Sequence, residues 1–255
     1  MKTCAVILLY KQTKLLPALT KRLKECGVDY IKVVRNDLNN VGSAAGYKSG
    51  IQDAYFNTDC DFIWLLDDDN LPDSAALKNL KLEYNKHNNT NYAFSSFRML
   101  FAEFYRMKDI TKIIGTYNAC LGINVLHPVK TLKNIKRKMG YYPETLPATV
   151  YGGLFFHRNL VYAIGLPDES YFLYCDDIEW THRIVQKGGR IYLVHSSIVN
   201  DVNGQGPGNR YLMKRNLMKF QEKLSDRKWL FRVNRVLALA VDNIFPIKRL
   251  AETKL

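Results

Sequence analysis

The stretch Phe62-Ile63-Trp64-Leu65-Leu66-Asp67-Asp68-Asp69 decides the fold of this chain. A short apolar run that ends in polar residues is typical of a buried strand in a parallel sheet, and open α/β sheets bind ligands at the carboxyl ends of such strands. Three adjacent carboxylates repel one another, and a divalent cation with oxygen ligands relieves this repulsion, commonly while it also holds a phosphate. The stretch therefore predicts metal-assisted chemistry on a phosphorylated substrate.

The same acidic residues admit a purely structural interpretation. Residues 67–73 read Asp-Asp-Asp-Asn-Leu-Pro-Asp, a composition that is common in solvated turns. Such a turn would lead into a helix capped by Asp73 or Ser74, since both side chains are good N-caps. The acidic triplet alone leaves both interpretations open.

Strands and helices alternate around this stretch. Apolar residues at helical spacing predict a helix over residues 13–26, and small residues begin a second predicted helix over 43–56. Strands are predicted before, between and after these helices, at residues 4–10, 30–34 and 61–66. This alternation is typical of a parallel sheet with right-handed crossovers, so the first part of the chain resembles a nucleotide-binding half-domain.

The chain after residue 73 is predicted to continue this α/β pattern. Predicted helices lie at 74–86, 158–164, 177–187 and, as one or two basic amphipathic helices, 210–245, and predicted strands lie at 92–96, 152–156 and 190–194. Residues 98–113 fit either a helix or a strand. Residues 128–150 are expected to form a loop, because Pro143 and Pro147 interrupt them.

Length and composition fit one large globular α/β domain with a small appendage. The chain has 255 residues, of which 47% are hydrophobic, enough to bury a full core. We expect a main domain over 1–204, with halves at 1–96 and 97–204, and a basic helical tail over 205–255.

The five cysteines form no CxxC pair, which argues against a zinc site and for a reducing, cytoplasmic location. No apolar stretch has the length of a signal peptide or a membrane span.

Positive charge is concentrated in two places. The formal net charge is +13, and residues 205–255 hold twelve Lys or Arg against four Asp or Glu, a net of +8. A second basic cluster comprises Lys130, Lys133, Lys136, Arg137 and Lys138. Such patches attract nucleic acid, anionic lipid and nucleotide phosphates alike. The cationic amphipathic stretch 229–241 either lies on an anionic membrane surface or packs its apolar side on the domain.

A second acidic group, Asp176-Asp177-Ile178-Glu179, follows an aromatic run and opens a predicted helix. Carboxylates at this position stabilise a helix N-terminus, which is the structural interpretation. The functional interpretation pairs the two acidic groups, so that one holds a metal and the other acts as a general base.

A glycine-rich segment, residues 39–50, is a third candidate. Its glycines and alanines would let a phosphate approach the start of a helix closely. The segment lacks the ending of a P-loop and the spacing of a dinucleotide-binding fingerprint. Close helix packing is the alternative explanation.

These segments, taken in order, resemble the family-two inverting glycosyltransferases of the GT-A fold. The segments that carry the resemblance are Asn40-Val-Gly-Ser-Ala-Ala-Gly46 with Gly50, Leu65-Leu-Asp-Asp-Asp-Asn-Leu-Pro-Asp73, Gly152-Gly153, Gly165-Leu-Pro-Asp-Glu169, Phe172-Leu-Tyr-Cys-Asp-Asp-Ile-Glu179, Arg183, Gly188-Gly-Arg-Ile-Tyr-Leu-Val194 and Arg215-Asn216. The similar subgroup contains galactofuranosyl- and rhamnosyltransferase-like enzymes of bacterial surface polysaccharides. The resemblance implies a GT-A (Rossmann-like) α/β fold, with a mostly parallel sheet flanked by helices and a C-terminal basic helical extension.

The resemblance also implies site residues. Asp67 and Asp69 match the acids that hold Mn²⁺ or Mg²⁺ and the donor diphosphate. Asp177 matches the catalytic base, which takes a proton from the attacking acceptor hydroxyl. Asp176 and Glu179 would shape its field or contact acceptor hydroxyls, and Asp68 would lie near the donor ribose or sugar. The implied nucleotide-binding residues are Asp37, Asn40, Gly42, Lys48, Asp67 and Asp68.

The chain departs from the family pattern in its first third. Relatives carry an acidic, serine-rich loop that binds the nucleotide base, followed by a further strand. Here residues 30–35 are the one strand candidate between the first helix and the Asn-x-Gly segment. We therefore expect Arg35, Asn36 or Asp37 to take over the contact with the base.

A second departure concerns the third metal ligand. Many relatives place a metal-binding histidine soon after the strand predicted at 190–194. Asp201 aligns with that histidine and is a chemically suitable oxygen ligand. His195, six residues earlier, is the other candidate.

The implied function is that of a metal-dependent inverting glycosyltransferase. It would move a hexose of the galactofuranose, galactose or rhamnose type from a UDP- or dTDP-sugar to a hydroxyl of a growing glycan acceptor. We expect a lipid-linked glycan as acceptor, and a protein bound peripherally to the inner face of the plasma membrane.

Three other functions are weighed against this one. A catalytically impaired relative that serves as a partner in polysaccharide assembly is favoured by the missing strand and opposed by the intact acids at 67, 69 and 177. A nucleic-acid-binding protein fits the charge, but no helix-turn-helix, RNA-recognition or zinc pattern occurs, so no nucleic-acid partner is expected. A nucleotide-sugar pyrophosphorylase needs a glycine-rich loop after the first strand, which Leu9-Tyr10-Lys11-Gln12 does not supply.

Overall fold

The computed structural model describes residues 1–11, 14–115, 119–120, 123–124, 142–202 and 209–244. The basic cluster at 130–138, the glycine-rich segment at 204–208 and most of the predicted loop at 128–150 lie outside these residues. The strands are β1 (Thr3–Leu9), β2 (Tyr30–Arg35), β3 (Phe62–Asp67), β4 (Asn70–Pro72), β5 (Tyr92–Phe97), β6 (Ala119–Cys120), β7 (Ile123–Asn124), β8 (Thr145–Leu146), β9 (Leu154–His157) and β10 (Arg190–Asp201). The helices are α1 (Leu16–Glu25), α2 (Gly42–Asn57), α3 (Ala76–His87), α4 (Ala102–Tyr105), α5 (Ile110–Ile114), α6 (Leu160–Ile164), α7 (Asp176–Gln186), α8 (Arg210–Leu224) and α9 (Lys228–Ile244).

Within the described residues, one central sheet has the strand order β2-β1-β3-β9-β5-β10-β4, and β8 also pairs with β10. The long pairings are parallel and join β1 to β2 and β3, and β5 to β10. Short antiparallel pairings attach β9, β4 and β8. The predicted α/β class, with a mostly parallel sheet flanked by helices, is therefore confirmed.

The core lies on both faces of the sheet, because successive side chains of a strand point to opposite sides. Val6 and Leu65 belong to the cluster that packs under α2. Ile7 and Trp64 belong to the cluster that packs under α1 and α3. Burial on both faces explains why β1 and β3 are continuous apolar runs rather than alternating ones. A third cluster, which contains Phe220, joins α5, α7 and α8.

The glycine-rich segment at 39–50 serves close packing of α2. A Cβ at Gly46 would lie 2.4 Å from Leu8 Cδ1 of β1. Gly42 has φ +82°, and a Cβ there would lie 2.0 Å from the carbonyl oxygen of Phe172. Any larger residue at Gly42 would therefore meet the backbone of the loop that precedes α7, which agrees with the packing explanation.

The interpretation of residues 67–73 as one turn that leads into a capped helix is wrong, because the turn between β3 and β4 comprises Asp68 and Asp69 alone. Residues Asn70–Pro72 form β4, which pairs with the end of β10. The N-cap of α3 is Ala75, without a side-chain hydrogen bond, so neither Asp73 nor Ser74 caps the helix. Asp73 instead accepts a hydrogen bond from Asn200 Nδ2 at 2.9 Å.

Residues 98–113, for which helix and strand were both open, are helical in part, and β10 is longer than predicted. The ambiguous residues 98–113 form a 3₁₀ turn at Met99–Phe101 and the helices α4 and α5. β10 continues beyond the predicted end at 194, because the strand resumes pairing after a register shift between Val194 and Ile198. The tail predicted at 210–245 forms α8 and α9. Among the helices in the described ranges, none is both long and apolar enough to cross a membrane.

Candidate active site

A cavity of about 460 Å³ opens where the end of β3 meets the starts of α2 and α7. The structure brings the two acidic groups together here, since Asp67 from the first group and Asp176 and Asp177 from the second all line it. The lining also includes the apolar side chains of Phe101, Phe104, Leu173 and Leu217. The cavity therefore combines carboxylates with apolar surface.

Asp67 ends β3, and its carboxylate is held from two sides. The Tyr47 hydroxyl donates to Oδ1 at 2.7 Å, and Arg98 Nη1 lies 3.4 Å from Oδ2. Burial, followed by the charge of Asp67, raises the pKa of Tyr47, so the phenol remains a neutral donor. The backbone N–H of Asp67 donates to Asn70 Oδ1 at 2.9 Å, which fixes the turn into β4.

Asp68 and Asp69 have different surroundings. Asp68 Oδ2 accepts hydrogen bonds from the backbone N–H groups of Tyr10 at 2.8 Å and Lys11 at 2.7 Å, so it ties the end of β1 to the end of β3. Asp69 Oδ1 accepts from Asn70 Nδ2 at 3.1 Å. Burial, followed by the charge of Asp67, raises the pKa of Asp69 to about 6. A cation beside Asp69 would offset this cost of holding two carboxylates together.

The second acidic group is presented by an unusual loop that α8 holds in place. Phe172, Tyr174 and Cys175, which precede α7, all have positive φ, a conformation that non-glycine residues adopt only when their surroundings impose it. The buried Asn216 of α8 supplies that constraint, because its Nδ2 donates to the carbonyl oxygens of Tyr171, Leu173 and Tyr174 at 2.6, 2.7 and 2.9 Å. The loop thus delivers Asp176 and Asp177 to the cavity.

Asp176 and Asp177 share the first turn of α7. Asp176 is 2% exposed and accepts a hydrogen bond from Ser43 Oγ at 2.7 Å. Asp177 is partly exposed to the cavity, and its Oδ1 accepts from the N–H of Ile178 at 2.8 Å. Burial, followed by the charge of Asp176, raises the pKa of Asp177, and burial also raises the pKa of Asp176. The charge of Asp67 raises the pKa of both Asp176 and Asp177, as expected for acidic groups that line one cavity.

Glu179 lies outside the lining of this cavity. It is 1% exposed and accepts a hydrogen bond from Arg183 Nε at 2.9 Å. Lys223 of α8 forms a second ion pair with it. These contacts give Glu179 a part in joining α7 to α8, and they do not bring it to Asp67.

Apart from Asp68, the residues predicted only for nucleotide binding lie in or just before α2, and none of them lines the cavity. Asp37 forms an ion pair with Arg35, with Nη2 and Oδ2 2.8 Å apart. Asn40 Oδ1 accepts from the backbone N–H two residues later at 3.0 Å, a local contact at the start of the helix. Lys48 pairs with Glu169. Gly42 packs against the loop before α7, as described above.

Arg98 follows β5, and its guanidinium forms ion pairs with Asp67 and Asp201. It is 4% exposed, and its Nε lies 2.9 and 3.2 Å from the two carboxylate oxygens of Asp201. Nη2 also pairs with Asp201, and Nη1 donates to the carbonyl oxygen of Gly152 at 3.3 Å. Burial lowers the pKa of Arg98, but the negative charges of Asp67 and Asp201 have the larger combined effect and raise this pKa. The guanidinium lies over Phe101, 4.6 Å from the ring centroid.

The predicted metal ligands fit a divalent cation only in part. Asp67 and Asp69 suit Mg²⁺ or Mn²⁺, which proteins commonly hold through one or two carboxylates and the phosphates of a substrate. Asp201 is already engaged by Arg98 through both oxygens. His195 is exposed and contacts the ring of Phe97. In the described part of the chain, no three His, Cys, Asp or Glu side chains are grouped so that they could hold a metal ion by themselves.

Several residues around the cavity were not assigned a role from the sequence. They are Ser43, Tyr47, Asn70, Arg98 and Asn216. The signal that could have identified Arg98 is its position directly after the predicted strand at 92–96, because polar residues at the ends of parallel strands meet at one edge of a sheet. The other four lie inside segments already quoted, where only the spatial contacts reveal what they do.

The chain matches no family model and no curated protein. Its fold is similar to that of solved glycosyltransferases. The 1–349 part of S. aureus TarS in complex with UDP-GlcNAc has a TM-score of 0.53 at 12% identity, covering 98% of this chain and 76% of that one. GalNAc-T7 with UDP, GalNAc and Mn²⁺ has a TM-score of 0.53 at 14% identity, covering 96% of this chain and 59% of that one.

A longer TarS chain extends the same similarity. It has a TM-score of 0.50 at 12% identity, and the match covers 98% of this chain and 44% of that one. The protein thus spans 44% of this TarS chain and 59% of GalNAc-T7. At these identities the comparisons establish the GT-A fold, which the resemblance in the sequence predicted.

Proposed function

We propose that the protein is an inverting glycosyltransferase that moves a hexose from a nucleoside diphosphate sugar to a hydroxyl of a glycan. The observation that carries the proposal is the single cavity shared by Asp67, at the end of β3, and Asp177, at the start of α7. Solved proteins with the same fold hold UDP-GlcNAc, or UDP, GalNAc and Mn²⁺, which supports a UDP-sugar as donor; a dTDP-sugar is the alternative donor that we propose from the sequence. Galactofuranose, galactose and rhamnose are the proposed sugars.

Asp177 is the proposed general base. The acceptor oxygen forms a bond to the anomeric carbon while its proton passes to a carboxylate oxygen of Asp177. The bond between the anomeric carbon and the diphosphate oxygen breaks, and the nucleoside diphosphate leaves with the electron pair. Attack from the face opposite the diphosphate inverts the configuration. The raised pKa of Asp177 suits this role, since a more basic carboxylate takes a proton more readily.

Asp67 and Asp69 are the proposed ligands of Mn²⁺ or Mg²⁺. Such a cation, when bound, offsets the negative charge on the departing diphosphate. Tyr47 keeps Asp67 oriented for this task through its hydrogen bond. Asp68 fixes the loop after β1. Asp37, Asn40, Gly42 and Lys48 remain the proposed contacts of the nucleotide.

The proposed acceptor is a glycan attached to an apolar carrier. Phe101, Phe104, Leu173 and Leu217 line the cavity and give it apolar surface. A lipid-linked glycan would place a hydroxyl near Asp177 and its apolar part against these side chains. Burial of apolar surface would then contribute to acceptor binding.

The exposed side of α9 supports association with an anionic membrane. Trp229, Val233 and Val236 are exposed and lie at i, i+4 and i+7, which places them on one side of a helix. Arg232, also exposed, lies among them. Apolar residues next to cationic ones are the combination that binds anionic lipid surfaces. We propose that this side of α9 brings the active site to a lipid-linked acceptor.

A substitution of Asp177 tests the proposed base. Asp177→Asn keeps the shape of the side chain but removes the proton acceptor, so transfer from the donor that the protein uses should fall by roughly 10²- to 10⁴-fold. Binding of the nucleoside diphosphate, measured by calorimetry, should remain within about threefold, because the base contacts the acceptor rather than the donor. The matched control is Asp168→Asn, which removes a carboxylate from the loop before α7 that does not line the cavity. Near-normal turnover by Asp177→Asn would make the base assignment wrong.

A catalytically impaired partner protein is the second candidate. It is favoured by the edge position of β2, beyond which no described strand lies, because the resemblance in the sequence implies a further strand in this part of the chain. The nucleotide titration that closes the Discussion separates the two candidates.

A further inference from the structure

We infer that Arg98 sets the charge of the metal-binding site: by pairing with Asp201, it withholds that carboxylate from a bound divalent cation and leaves Asp67 and Asp69 as the metal-binding pair. The inference rests on the proposed function, since it concerns the cation that would accompany the donor diphosphate. Arg98 is a positioning residue in this account, because it acts through the carboxylates that it contacts.

The first argument is the pairing of Arg98 with Asp201. The guanidinium meets both carboxylate oxygens, through Nε at 2.9 and 3.2 Å and through Nη2, and two-oxygen contacts of this kind are the strong form of the Arg–carboxylate pair. The side chains are 4% and 6% exposed. Coordination of a metal by Asp201 would leave a buried guanidinium without its main partner, which is strongly unfavourable.

The second argument is the amide of Asn70, which holds the carboxylates in a fixed arrangement. Its Nδ2 lies 3.1 Å from Asp69 Oδ1 and 3.1 Å from Asp201 Oδ1, and its Oδ1 accepts the backbone N–H of Asp67. Asp201 therefore receives hydrogen bonds from two side chains, Asn70 and Arg98. Asp69 accepts from the same Asn70 Nδ2 group, and Arg98 makes no described hydrogen bond to it.

The third argument is the charge of the cluster. Asp67, Asp69 and Asp201 with Arg98 carry a formal charge of about −2 when all are ionised, which one divalent cation balances. Loss of Arg98 would leave about −3 and would free Asp201 for coordination. A unit charge within about 8 Å of a divalent ion changes its affinity by on the order of tenfold, even at a water-like dielectric constant. Arg98 therefore keeps the metal affinity of the free protein low, so that the cation binds together with the diphosphate.

The test is a titration of Mn²⁺ alone into the free, full-length protein, with free Mn²⁺ read by electron paramagnetic resonance at about pH 8, above the usual carboxyl pKa values. Arg98→Gln should bind Mn²⁺ at least about tenfold more tightly than wild type. The double variant Arg98→Gln/Asp201→Asn should return to within about threefold of wild type, because the charge is again about −2 and the Asp67–Asp69 pair is intact.

Either of two results would overturn the inference. A folded Arg98→Gln variant that binds Mn²⁺ no more tightly than wild type would show that Arg98 does not limit metal binding; this includes the case in which neither protein binds Mn²⁺ at millimolar concentration. A double variant that binds Mn²⁺ much more weakly than wild type would show that Asp201 is itself a ligand.

Folding of each variant is checked by thermal denaturation followed by circular dichroism. If Arg98→Gln does not fold, the Mn²⁺ affinity of the double variant is the deciding measurement. We expect the double variant to fold, because it replaces a buried ion pair by two neutral amides that can hydrogen-bond to each other. The titration contains no nucleotide. Failure of UDP and dTDP to bind would therefore count against the proposed function without altering the expected order of Mn²⁺ affinities.

Discussion

Asp176 and Asp177 are neighbours in sequence with different tasks at the first turn of α7. Asp176 is buried and accepts the hydroxyl hydrogen of Ser43, so it anchors α7 to α2. Asp177 faces the cavity, where an acceptor hydroxyl would reach it. Like charges held this close raise each other's pKa, and the pKa of Asp177 is raised by burial and then by Asp176.

This coupling predicts a pH profile. The base must be ionised to take a proton, so transfer should fall as the pH decreases through the raised pKa of Asp177. Asp176→Asn removes the neighbouring negative charge, which lowers the pKa of Asp177 and should move the acid limb of the kcat/KM profile to lower pH by roughly one unit. The asparagine can still accept the hydrogen bond from Ser43. An acid limb that stays in place, or moves to higher pH, would contradict the proposed coupling; Asp168→Asn serves as the control that leaves the profile unchanged.

At the scale of single residues, the sequence predicted which side chains carry chemistry better than it predicted which side chains contact one another. The carboxylates at 67 and 177 were recognisable because each follows an apolar or aromatic run, and they do meet in one cavity. The partner of Asp201 was not recognisable. Arg98 reaches Asp201 because β5 pairs with β10, and the order of strands in a sheet is not encoded in the periodicity of either strand.

At the scale of elements, the long strands and helices were predictable for a physical reason. Strands buried on both faces must be apolar throughout, and helices on the sheet must be amphipathic. β4 was missed because it is three residues long and contains a proline, features that resemble a turn. The extension of β10 was missed because a register shift interrupts it between Val194 and Ile198.

The helix α9 carries the prediction at this scale. The protein should bind vesicles that contain anionic phosphatidylglycerol more tightly than neutral phosphatidylcholine vesicles, and added salt should weaken this binding. Trp229→Ser with Val236→Ser should reduce binding by roughly tenfold or more, since both exposed side chains lose apolar area that the membrane would bury. Co-sedimentation with the vesicles measures the effect.

The control for this experiment is Tyr162→Ser, which removes an exposed aromatic residue from α6. We expect its vesicle binding to match that of the wild type. Equal binding to anionic and neutral vesicles, or equal loss in the α9 and α6 variants, would contradict a role for α9 at the membrane.

At the scale of the whole molecule, the fold explains where the site lies. The parallel pairing of β1 with β2 and β3 brings their carboxyl ends to one edge, and ligands of open α/β sheets bind at such edges. The sheet ends at β2 within the described residues. In the proposed function, a nucleotide base would therefore bind near the ends of β1 and β2 and the start of α2.

The basic charge of the molecule bears on the same question. A net charge of +13 raises the local concentration of any anion, including a nucleoside diphosphate, without selecting among them. Selection must come from the site. The proposed function predicts that the protein distinguishes nucleotides and needs the carboxylates at the end of β3 to bind them.

The most direct measurement is a calorimetric titration of the purified protein with UDP and with dTDP, each in the presence and absence of Mn²⁺. The account predicts that one of the two binds, and that Mn²⁺ tightens its binding by roughly tenfold or more, because Asp67 and Asp69 would hold a cation whose charge would offset that of the diphosphate. Failure of both nucleotides to bind, with and without Mn²⁺, would contradict the proposed transferase and favour a partner protein that has lost its donor site.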